Sequence, residues 1–203
     1  MAQPGVPAEP LAADASRRVC LPLNEYSDMT EDDYRNAIAD AWESDGVVWS
    51  RVVALVERAL HDYPNSTKLW CVLGSAILMA GITDLLAGIT DKIAPDPPDK
   101  ILRCYEKAAS LDATCAEAHE EIGCYYDAIE DDPQRAVVAF KRAISLYAGK
   151  TAYIGLARCL AETGNASAAL AVLEESTDQD DPDVRKIREE ILGGEWQWPP
   201  IDN

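Results

Sequence analysis

Two imidazoles and six thiols are the side chains with which this 203-residue chain could do nucleophilic or metal chemistry. The histidines are His61 and His119, and the cysteines are Cys20, Cys71, Cys104, Cys115, Cys124 and Cys159. A catalytic base needs a nucleophile and an orienting partner in register with it. No Ser-His-Asp set, Gly-rich phosphate loop or metalloprotease helix motif occurs. Cys115, His119 and Cys124 come closest to a metal set, but only the first two lie one helical turn apart, and Cys124 falls five residues beyond His119 and off that face. A zinc site is therefore disfavoured, and neither a metal nor another cofactor is expected. The carboxylate pairs Glu120-Glu121 and Asp131-Asp132 are adjacent in sequence and diverge on a helix, which does not build an acid/base pair. The expectation is a protein that is not an enzyme. The cysteines contain no Cys-x2-Cys pair, and five fall within predicted helices or at helix starts, which suits a reduced intracellular thiol set and a cytoplasmic protein.

The elements that carry these residues read as helices. Ala, Leu and Glu are abundant, there is one Phe, and 48% of residues are hydrophobic, enough for a continuous core. Thr30 precedes the acidic turn Glu31-Asp32-Asp33, and Tyr34, Ile38, Ala41 and Trp42 form an apolar stripe closed by Asp45-Gly46. A second helix, about 48–62, turns Val52, Val53, Val56, Ala59 and Leu60 inward and ends at Tyr63-Pro64. Further helices follow at 67 to about 80, from near 99, at 115–130, 133–146, 150–162 and 166–175. The last begins at Asp181-Pro182, with Val184, Ile187 and Ile191 inward, and ends at Gly193-Gly194.

Two patterns recur along these helices. Trp70-Cys71-Val72-Leu73-Gly74 with Ile77 returns 49 residues later as His119-Glu120-Glu121-Ile122-Gly123 with Tyr126, and after 34 more as Tyr153-Ile154-Gly155-Leu156-Ala157 with Leu160. His119 thus occupies a large packing position rather than a site. The second pattern is a small or aliphatic residue, a large one four on, and a small one three beyond. It appears as Val52, Val56, Ala59; Ile101, Tyr105, Ala108; Ala136, Phe140, Ala143; and Ala169, Leu173, Ser176. Gly74, Gly123 and Ala157 would let the paired helix approach, and Ala59, Ala108 and Ala143 would let the next pair stack.

Over roughly residues 47–176 this resembles the tetratricopeptide repeat, a pair of antiparallel helices of about 34 residues with a W-x2-L-G-x2-Y first helix and an Ala-Phe-Pro second helix. The resemblance implies an all-α fold: a right-handed superhelix of antiparallel helix pairs, a solenoid with a C-terminal capping helix at 182–193. The organisation expected is a flexible tail at 1–28, a repeat domain of about four repeats at 29–193, and a Trp/Pro-containing tail at 194–203. Ala113 stands where the family usually has Pro, and Ser176 where it has Ala. The second repeat is 15 residues longer than the others, the excess falling within 81–98, where Ile82, Leu85, Leu86, Ile89 and Ile93 keep helical spacing before Ala94-Pro95-Asp96-Pro97-Pro98. These extend the leading helix or form an extra short one, and they either cover neighbouring surface or join a binding face.

The family's ligand groove is lined by the leading helices. By resemblance this places Lys68, Cys71, Ser75, Leu78 and Met79 beside Glu117, Glu120, Cys124 and Asp127, with Thr151, Ile154, Arg158 and Glu162 completing the surface. The family's grip on chaperone carboxylate tails uses a Lys and an Asn one turn apart, with further basic residues later. Here those sites read Cys71 and Ser75, Glu120 and Cys124, Ile154 and Arg158, so that carboxylate clamp is absent.

The formal charge of -18, from 36 acidic and 18 basic residues, repels nucleic acid and anionic membranes. Either the acids solvate an outer face or they meet a basic partner. The N-terminal stretch has no run long enough for a membrane span or signal peptide, and Val19 to Leu23 is too short to make Ser16-Arg17-Arg18 and Cys20 export or lipid signals. Trp196 and Trp198 either fold back on the last repeat or dock on another protein. The function implied is a non-catalytic scaffold or adaptor whose groove takes a protein or peptide partner, basic or amphipathic. The alternatives are a regulatory subunit of an enzyme complex and a self-associating assembly factor.

Overall fold

The computed structural model describes residues 28–44, 46–86 and 98–194. All regular structure among them is helical: α1 (Glu31–Trp42), α2 (Trp49–Asp62), α3 (Thr67–Leu86), α4 (Pro98–Leu111), α5 (Ala116–Ala128), α6 (Pro133–Ser145), α7 (Lys150–Glu162), α8 (Ala166–Glu175) and α9 (Pro182–Gly193). Local chemistry fixes where these helices start. The Asp33 N–H donates to Thr30 Oγ1 at 3.2 Å and the Thr30 N–H donates to the Asp33 carboxylate at 2.9 Å, a reciprocal cap on α1. Asp132, Asn165 and Asp181 accept from the first turns of α6, α8 and α9, and Pro133 and Pro182 sit where no N–H is needed. Gly164 and Gly194 follow α7 and α9 with φ of 82° and 76°, left-handed values that a side chain disfavours.

The helices pack in chain order, each against the one before and the one after, and α5 also touches α3 and α7 while α7 also meets α9. One core cluster runs through Tyr34, Val56, Leu69, Tyr105, Phe140 and Leu156. A second joins Ala157, Leu173, Val184 and Ile191, so that α9 covers the apolar side of α7 and α8. Each large side chain buried here is worth about 1.5–3 kcal/mol, and none of these helices could bury its stripe alone. On α2, Leu55 is buried with Val52, Val56, Ala59 and Leu60, while Val53 is only half-buried. A stripe centred on Val56 faces the core, and Val53 lies at its edge.

The small residues are where the helices cross. A methyl group on Gly74 would stand 2.5 Å from Tyr105, one on Gly123 would stand 2.7 Å from Phe140, and one on Gly155 would stand 2.4 Å from the far end of the same ring. Phe140 of α6 therefore lies between α5, the leading helix of its own pair, and α7, the leading helix of the next. Ala59, Ala108, Ala143 and Ala157 are fully buried. Ser176 is buried as well, and its hydroxyl accepts from the Asp178 N–H at 3.2 Å, so the polar atom at this last small position is satisfied. Ala113 is exposed, and its carbonyl accepts from Arg142 at 3.0 Å, which fastens that turn without a proline.

The extra residues of the second repeat begin as a continuation of α3, which runs unbroken through Gly81 to Leu86. Nothing lies within 4 Å of the place a Gly81 side chain would fill, and Thr83 turns its hydroxyl back onto the Met79 carbonyl at 2.8 Å, so neither residue interrupts the helix. Residues 87–97 lie outside the described residues. So do residue 45, the N-terminal stretch to residue 27 with Cys20, and the 195–203 tail with Trp196 and Trp198.

Candidate functional site

The leading helices α3, α5 and α7 present the residues singled out for a groove, and their environments differ. Lys68, Glu117 and Thr151 are exposed, and Ser75, Leu78, Met79, Glu120, Cys124, Asp127, Ile154, Arg158 and Glu162 are half-buried. Cys71 departs from the expectation. It is 1% exposed, packed with Ala108, Ala118, Trp70 and Cys115, because its position on α3 faces the start of α5 rather than open surface. It is a packing residue and offers nothing to a ligand. Ser75 is partly occupied too, since its hydroxyl lies 3.2 Å from the Tyr105 hydroxyl.

The acidic residues form a strip from α5 to α7. Burial raises the Glu120 pKa, and the charges of Glu121 and Glu117 raise it further, while the nearby Ala152 backbone opposes the rise. Burial likewise pushes Glu121 up, the nearby Tyr105 hydroxyl opposing, and Glu117 adds to the rise. Glu162 is raised by burial and by Asp127, with Arg158 opposing. Asp127 is held at 3.7 Å from Arg158 Nη2 and accepts from the Cys159 thiol at 3.4 Å. The surrounding thiols are kept protonated: burial and the neighbouring carboxylates push Cys124 up to about 12 and raise Cys71 and Cys159 as well, which removes thiolate chemistry at neutral pH.

Glu121 was not among the groove residues expected from sequence, yet it joins the strip from the side of α4. On a helix wheel it lies beside Glu117, one turn earlier, and this spacing was the available signal. A further open surface lies on α1. A cavity of about 510 Å³ opens between α1 and α3, floored by Ile38, Leu69, Val72 and Trp42, with Arg35, Lys68 and Glu117 at its edge. Trp42 meets Trp49 edge to face at 4.7 Å between ring centroids, which fixes its ring in place. The sequence of α1 lacks the Trp-Leu-Gly frame, so nothing in its spacing points to an open face there.

The remaining chemistry-bearing residues are scattered. His61 is exposed, with Nδ1 2.9 Å from its neighbour Asp62. His119 is half-buried, and its Nε2 has no hydrogen-bond partner among the described residues. No group of three His, Cys, Asp or Glu among the described residues is placed to hold a metal ion, and no helix among them is long and apolar enough to cross a membrane.

A family model described as tetratricopeptide repeat matches residues 128–191, from the end of α5 to α9. That segment matches the tetratricopeptide repeat, and the solved structures that resemble the chain share its helical repeat fold. Solved structures with the same repeat fold include the MamA protein, 16% identical over 84% of this chain and 80% of that one, with a TM-score of 0.54. Another is YrrB, described as a tetratricopeptide repeat protein with an unusual peptide-binding site, 17% identical over 69% of this chain and 66% of that one at a TM-score of 0.51. At such identities the likeness is one of fold. No curated protein matches the chain. The same helix pairing is seen before the matched segment, because α3 and α4 meet through Gly74 and Tyr105 as α5 and α6 meet through Gly123 and Phe140.

Proposed function

We propose that this protein is a non-catalytic interaction scaffold whose leading helices form a groove for a basic segment of a partner protein. The observation that carries this reading is the strip of Glu117, Glu120, Glu121, Asp127 and Glu162, three of which are raised by burial and, after it, by neighbouring acids. Arg158 answers Asp127 and Glu162, whereas no cation is among the influences on Glu120 and Glu121, so that end of the strip favours added positive charge. A lysine or arginine from a partner supplies it in a low-dielectric setting, where each pairing is stronger than on open surface. The net charge of -18 adds long-range attraction for the same ligand. YrrB, a repeat protein of similar fold, is described as having a peptide-binding site, which supports the class of ligand.

Calorimetric titration of the full chain with a lysine-rich peptide tests the proposal. Glu117→Lys combined with Glu120→Gln should weaken binding about tenfold or more at low salt, with helicity unchanged by circular dichroism. Affinity that ignores both substitutions and ionic strength would overturn it.

A further inference from the structure

The cavity between α1 and α3 is of a different chemical character from the strip beside it. Its floor is apolar: Ile38 and Leu69 are 5% and 0% exposed, and Trp42 and Val72 are half-covered above them. Ala39 is exposed at its lip. Glu117 belongs both to this edge and to the acidic strip, so the two surfaces are continuous. At about 510 Å³ the cavity falls in the range that holds a compact organic group.

We propose that the cavity is the anchor site of the same peptide groove and takes one large apolar side chain of a partner segment whose lysines or arginines lie across α5 and α7. This rests on the groove reading above. The occupant follows from continuity and charge complementarity, because a segment held by its cations on α5 and α7 is carried past Glu117 onto the cavity. Neighbouring helices stand about 8–10 Å apart and an extended chain advances about 3.3 Å per residue. Measured from α3, which forms one wall of the cavity, the anchor therefore lies roughly three residues from the cation over α5 and roughly six from the cation over α7. The segment recognised is amphipathic along its length, apolar at one end and basic at the other.

The test uses the full chain and two fluorescein-labelled synthetic peptides in a Gly/Ser background, one with Phe and with lysines three and six residues away, the other with Ala in place of Phe, each also made in reversed order. In the better-bound order the Phe peptide should bind about tenfold tighter than the Ala peptide by fluorescence anisotropy, from burial of one aromatic side chain. Ala39→Trp, which fills the lip from an exposed position, should erase that advantage and leave the Ala peptide unaffected. Equal affinity for the two peptides, or a preference that survives Ala39→Trp, overturns the anchor site while leaving the basic groove standing. If neither peptide binds at low salt, the groove itself fails and the anchor with it. If a chain lacking 195–203 binds the Phe peptide far more tightly than the full chain, the cavity belongs to the chain's own Trp196 and Trp198, and the proposal is again overturned.

Discussion

Phe140 and its two glycines show what single residues decide here. The ring is 1% exposed and is approached from both sides at distances that leave no room for a methyl group. Gly155→Ala should therefore destabilise the protein by about 1–3 kcal/mol, through displacement of Phe140, despite the better helix propensity of Ala. Gly81→Ala is the matched control, since open space surrounds that helical glycine, and it should stabilise by about 0.5–1 kcal/mol. Urea midpoints of the two variants check this, and equal shifts would mean that the glycines are not packing residues. The small positions Gly74 and Gly123 were legible because each recurs in a frame. The part played by Gly155 was not, because it answers an aromatic from the preceding pair, and a frame read within one repeat is blind to its neighbour. Cys71 was misplaced for a related reason: sharing a helix face with Ser75 does not reveal that α5 begins against it.

At the scale of helices, boundaries follow local chemistry closely, as the caps Thr30, Asp132, Asn165 and Asp181 demonstrate. The length of α3 did not, since the apolar spacing after Gly81 suits a longer helix and a new one equally. The open α1 face is hidden in the sequence because its partners come from α3, a distant stretch of the chain. The placing of α9 depends partly on charge. Lys150 Nζ, at the start of α7, lies 2.7 Å from Asp181 and 3.0 Å from Asp183, at the start of α9. Lys150→Met should lower the urea midpoint slightly in dilute buffer, and the loss should fade in concentrated salt. A deficit equally large at high salt would point to packing instead of this ion pair.

For the molecule as a whole, the acidic strip sets an unusual response to pH. Glu120, Glu121 and Glu162 have folded pKa values above the ordinary 4.5, so from that value up to their folded values the folded state holds more protons than the unfolded one. Stability is then lost as pH rises through this window and regained as it falls. Asp33, Asp62, Asp112 and Asp181 act in the opposite sense. Hydrogen bonds keep them below 3.8, and their contribution is lost only in stronger acid. Denaturation should thus be harder at about pH 5 than at about pH 7.5, and Glu121→Gln should shrink the difference. A flat profile would mean that the strip is not strained. Helix type, order and pairing were readable from periodicity, whereas this collective charge depends on which acids converge in space. The shared ring of Phe140 also bears on how the protein can be dissected. A fragment ended after α6 would bare one side of an aromatic at its new terminus, and an excised α7 would lose the filler of its glycine notch. The turn between those helices is the natural seam by sequence and the wrong place for scissors, so shortened versions should keep both helices or neither.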